Sequence, residues 1–79
     1  MTMHAARLDK SPRLQRTLDV LRAHPDGCTT LELVLHTGSC AAHSDVAELR
    51  ANGIPIRCDY ERTSNGRRVY RYRLDQEAA

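Results

Sequence analysis

Seventy-nine residues with 41% hydrophobic side chains, three Tyr and neither Phe nor Trp can fill one small core. That excludes a deep substrate cavity, and with it most enzymes; no run approaches the roughly 20 apolar residues of a membrane span. The net charge is only +2, but seven arginines face just Asp59 and Glu61 between Arg50 and Leu74, a positive field at one end of the chain that suits a phosphate-bearing partner.

Met1 to Lys10 has no period and no apolar centre of a secretory signal, and reads as a flexible arm ahead of one domain over residues 11–75. Ser11-Pro12 is a helix opening, with serine as N-cap and proline at the first helical position, where its missing N–H leaves nothing unpaired. Leu14, Leu18 and Leu21 then form one apolar stripe, widened by Val20, and Pro25 stops the helix near Ala23-His24.

Thr29 and Glu32 have capping-box spacing at the head of a second helix, Thr30 to His36, and Gly38 offers the positive φ at which it stops. Leu31, Leu33, Val34 and Leu35 are too many for one narrow stripe, so this helix is expected to be buried on two sides. Ser39 reads as the N-cap of a third helix, Cys40 to Ala51, ending at Asn52-Gly53. Ala42, Val46 and Leu49 share its core face, while Cys40, His43, Ser44, Ala47 and Ala51 lie opposite. Helix, short glycine turn, helix is the layout of a helix-turn-helix.

From Ile54 the period becomes two. Ile56, Cys58 and Tyr60 alternate with charged residues, and Arg68, Tyr70, Tyr72 and Leu74 return around Ser64-Asn65-Gly66. A three-residue loop would pair Thr63 with Arg67, Tyr60 with Tyr70, Cys58 with Tyr72 and Ile56 with Leu74, placing Asp59 opposite Arg71. Gln76 to Ala79 is tail.

Thr29-Thr30-Leu31-Glu32, then Glu48-Leu49-Arg50-Ala51-Asn52-Gly53-Ile54-Pro55-Ile56, then Gly66 through Leu74 resemble the small winged helix-turn-helix proteins common in phages and prophages. The resemblance covers roughly residues 11–74. It implies an α+β fold, three short helices followed by a two-stranded β-hairpin wing, and a DNA-binding role that is often regulatory. Asp45 departs from the family, which often carries a basic residue there; an acid at that point would repel phosphate.

On that basis the expected partner is double-stranded DNA, met in the cytoplasm by a transcription regulator. His43, Ser44, Ala47 and Arg50 are expected at the major groove, Thr30 and Ser39 at flanking phosphates, and Asn65, Arg67, Arg68 and Arg71 on the wing. A side of the third helix this poor in Arg, Asn and Gln implies weak sequence preference. A homodimer is expected where an operator is palindromic, and the competing expectation is a protein partner bound by the same scaffold. Cys28, Cys40 and Cys58 lack zinc spacing, and Cys40 with His43 lacks an orienting acid, so no metal, cofactor or catalytic role is expected.

Overall fold

The computed structural model describes residues 7–75; the expected tail and all of the expected arm before Arg7 lie outside the described residues. Leu8–Lys10 form a single 3-10 turn. The Leu8 N–H donates to Asn52 Oδ1 at 3.0 Å, Gln15 Nε2 donates to the Leu8 carbonyl at 3.0 Å, and the Leu8 side chain packs on the core. Residues that read as a loose arm therefore bridge the first and third helices.

Helix α1, Pro12–Ala23, opens as its sequence dictates, with Ser11 Oγ accepting from the Leu14 N–H at 3.2 Å. It buries Leu14, Thr17, Leu18 and Leu21. Strand β1 is only Cys28–Thr29, and Thr29 turns the chain into helix α2, Thr30–Thr37, through a complete capping box. Thr29 N–H donates to Glu32 Oε1 at 2.8 Å and Glu32 N–H donates to Thr29 Oγ1 at 3.2 Å. Gly38 closes α2 at φ 75°.

Helix α3 spans Ala42–Ala51 and so starts two residues later than expected. Ser39 does not cap it: its hydroxyl accepts from the Ala41 N–H at 3.2 Å, and its own N–H donates to Thr37 Oγ1 at 3.1 Å. The serine organises the turn, and the helix begins without a side-chain cap.

Strands β2, Ile56–Ser64, and β3, Arg67–Leu74, form the hairpin, and β1 adds to its far side in the order β1-β3-β2. The fold is thus α+β with three helices and a three-stranded antiparallel sheet, in which β1 adds a third strand to the expected hairpin. Cys28 pairs with Tyr72 and Thr29 with Arg71. Gly27 makes this possible: at φ 93° a Cβ there would lie 2.8 Å from both Arg71 Cγ and the Tyr72 carbonyl.

At the hairpin base the expected register holds, with Ile56–Leu74, Cys58–Tyr72, Asp59–Arg71 and Tyr60–Tyr70 opposed. Toward the tip it differs. Glu61 is bulged, Ser64 rather than Thr63 faces Arg67, and Asn65 and Gly66 (φ 52° and 76°) alone make a type I′ turn. The extra residue sits in β2 rather than in the loop, where Glu61 is held by both Arg71 and Arg62. Asp59 faces Arg71 but ion-pairs instead with Arg57, two residues back on its own strand, and diagonally with Arg73.

Leu14, Leu18, Leu21, Leu33, Val46, Leu49, Ile56 and Tyr72 carry the core. Helix α2 buries only Leu33 and Thr37; Leu31 and Leu35 are 65% and 72% exposed, which corrects the expectation of a helix covered on two sides. Asp45, by contrast, is 1% exposed, ion-paired with Arg13 and accepting from Thr17 Oγ1 at 3.3 Å. It ties α3 to α1 and cannot confront a phosphate. Among the described residues no helix is long and apolar enough to cross a membrane.

Candidate nucleic-acid interface

Core burial of Ala42, Asp45, Val46 and Leu49 fixes the roll of α3, and the same roll leaves His43, Ser44, Ala47 and Ala51 exposed and uncovered by described residues. His43 is positioned. Its Nδ1 meets the Tyr72 hydroxyl at 2.6 Å, and the two rings stand edge to face with centroids 5.9 Å apart. Burial pushes the Tyr72 phenol up from its ordinary value, with Cys58 adding to the rise and Thr30 opposing it. A phenol kept protonated can donate to Nδ1, which leaves the His43 Nε2–H as an outward donor.

The eleven arginines sort by what their guanidinium groups already hold. Arg50 donates to the Ile56 carbonyl through Nε at 3.1 Å and Nη2 at 2.9 Å, fastening the end of α3 to the start of β2. Arg71 binds Glu61, reaches Glu32 at 3.5 Å and donates to the Gly27 carbonyl at 3.0 Å. Both are among the residues expected at DNA, and both already hold partners within the fold. Arg13, Arg57, Arg62 and Arg73 pair with carboxylates, as do Arg7 and Arg22, and Arg16 donates to the Thr37 carbonyl. Of the eleven, only the guanidinium groups of Arg67 and Arg68 hold no hydrogen bond or ion pair with a described residue.

Strand alternation sends these two to opposite faces. Arg68 lies with Thr63, Tyr60 and Tyr70 around a shallow open recess, on the same ribbon face as Tyr72 and hence toward His43. That face is sealed only at its base, by Ile56 and Tyr72; Tyr60 is 56% exposed, its hydroxyl 2.6 Å from Thr63 Oγ1 and its ring edge-on to Tyr70. Arg67 lies with Val69 and Arg71 on the other face. Asn65 is exposed at the tip. Thr30 is half-buried at the head of α2, and the Ser39 hydroxyl is engaged in the turn.

Tyr72 carries no site signal in the sequence, because strand alternation marks it as core and nothing local shows that its hydroxyl reaches α3. Electrostatically the face of Arg57, Asp59, Glu61, Arg71 and Arg73 is nearly self-neutralised. The Arg71 hydrogen bond holds the Glu61 carboxyl below the usual carboxylate range, with Arg62 helping. The unbalanced positive charge of the ribbon therefore sits at its tip.

Comparison with protein-family models, curated proteins and solved structures returned no match.

Proposed function

We propose that this chain is a winged helix-turn-helix protein that binds duplex DNA with weak sequence preference, as a transcription regulator of the phage or prophage type. In this reading α3 enters the major groove with His43, Ser44 and Ala47, and the β2–β3 ribbon is the wing. The observation that carries it is the pair of unpartnered guanidinium groups at a hairpin tip, in a chain that engages its nine other arginines internally. Unpaired cations repel one another and find their natural complement in phosphate. Support also comes from the Tyr72–His43 bond, which joins the Arg68 face of the ribbon to the uncovered side of α3.

Arg68 carries the backbone contact, Asn65 and Arg67 flank it, and Thr30 stands where the head of α2 meets a neighbouring phosphate. The mild α3 surface positions more than it specifies. Replacing Arg68 with alanine is expected to weaken binding to every duplex alike and to reduce the slope of log K against log salt by about 1. Arg67→Ala has a smaller effect, and His43→Ala changes which fragments are selected from a random duplex library. Unchanged affinity in Arg68→Ala, measured by fluorescence anisotropy, would remove the wing from the account.

A further inference from the structure

β3 is paired along β2 over most of its length, but on its other side β1 covers only Tyr72 and Arg71. The Thr29 capping box pulls the chain out of the sheet at Thr30 and into α2. The β3 edge from Arg67 to Tyr70 is therefore left without a strand partner among the described residues. Along that edge runs a groove of about 430 Å³ between the ribbon and α2. Thr30, Leu31 and Val34 line it from the helix, Val69 and Tyr70 from β3, and Arg62, Ser64, Arg67 and Arg68 from the tip half of the hairpin.

Three features of this groove select one kind of occupant. An open strand edge bonds an extended backbone, because its N–H and C=O groups repeat at strand spacing. The apolar wall, with Leu31 65% exposed, takes alternate apolar side chains. The arginines in the lining attract carboxylates, since the guanidinium groups of Arg67 and Arg68 lack partners of their own. A nucleic-acid strand offers the charge but neither the strand-spaced backbone nor the aliphatic side chains.

We propose that the α2–β3 groove docks an extended segment of a partner protein, alternating apolar and acidic residues, which adds to β3 in line with β1 and antiparallel to β3. This goes beyond the DNA reading and does not rest on it: the two share Thr30, Arg67 and Arg68, but the apolar side chains of Leu31 and Val34 and the open backbone edge of β3 have no part in duplex binding.

The test uses the full chain, labelled with 15N, and an end-blocked eight-residue peptide of alternating Glu and Val. Saturable amide shifts centred on Arg67 to Tyr70 and on Leu31 are expected. The same peptide with backbone N-methylation at alternate residues, in each of the two phases, loses binding in the phase that blocks the edge. Leu31→Glu, at an exposed position where folding is unaffected, weakens binding by about tenfold or more through lost apolar contact and repulsion. Equal binding of an all-Glu peptide, equal binding of both N-methylated peptides, or shifts away from the groove would overturn the proposal. Duplex binding is measured separately. A chain that takes the peptide and no duplex keeps this proposal and loses the previous one, and the reverse result does the opposite.

Discussion

Arg13 and Asp45 are unequal partners, and the inequality makes a prediction. The Asp45 side chain is 1% exposed and Arg13 is 38% exposed. Arg13→Met keeps most of the apolar stem but strands a buried carboxylate that retains the Thr17 Oγ1 bond and loses its counter-charge. Removing one partner of a buried pair and leaving the other uncompensated costs about 3–5 kcal/mol. Asp45→Asn keeps the shape and leaves a guanidinium that water already reaches and that still has Glu48 at 3.1 Å. The loss there is a charge-assisted bond, about 1–2 kcal/mol.

Arg13→Met should therefore be the worse variant by about 2 kcal/mol, or about 8–16 °C in Tm for a domain of this size. The double variant should recover much of the loss, because no charge is left buried. Thermal and urea unfolding followed by circular dichroism at neutral pH measure all three. Equal losses, or a worse loss for Asp45→Asn, would refute the claim that desolvation of the carboxylate decides the outcome.

Gly27→Ala should destabilise by about 2–4 kcal/mol, since the new Cβ meets the Tyr72 backbone at a positive φ and neither can give way; urea titration checks it. The Glu61 carboxyl is lowered by Arg71, so its contribution is present above the ordinary carboxylate range and disappears as pH falls through its own lowered value. Glu61→Gln should accordingly flatten the acid limb of a stability-against-pH curve, and an unchanged limb would show the bulge pairing to be idle. Tyr72→Phe removes the hydroxyl that orients His43, and should alter the fragments selected from a duplex library while lowering stability by about 1 kcal/mol.

Much of the fold is legible in the sequence where the determinants are local. Ser11-Pro12, the Thr29/Glu32 box and Gly38 bracket α1 and α2 because capping is chemistry between near neighbours. The hairpin base is legible because a slip of one residue would expose Ile56 and Tyr72. What escaped depends on distant contacts. β1 is two residues long, too short to show a period, and exists because Gly27 lets the chain approach β3. The Glu61 bulge depends on Arg71 ten residues away. Leu31 and Leu35 resemble core residues in sequence because they are leucines, although apolar residues commonly remain at surfaces.

The candidate site was legible in part, and for the same reason. Alternation and helical phase identify which residues are outward on α3 and the ribbon, so His43, Ser44, Ala47 and Arg68 emerge as exposed. They do not show which arginines are already engaged. Arg50 and Arg71 resemble Arg67 and Arg68 in sequence and differ only in having carbonyls and carboxylates within reach. Asp45 carries the opposite lesson: an acid whose position in the sequence points it at phosphate is a buried strut, and its partner lies on another helix.

The account stands or falls on affinity of the full chain for random-sequence duplex across a salt series from 50 to 300 mM, a range chosen because counterion release dominates there. Binding that weakens linearly in log–log form, with a slope of about −2 to −4 for a few phosphate contacts, is the predicted result. No binding at 50 mM salt, or an affinity indifferent to salt, would contradict it.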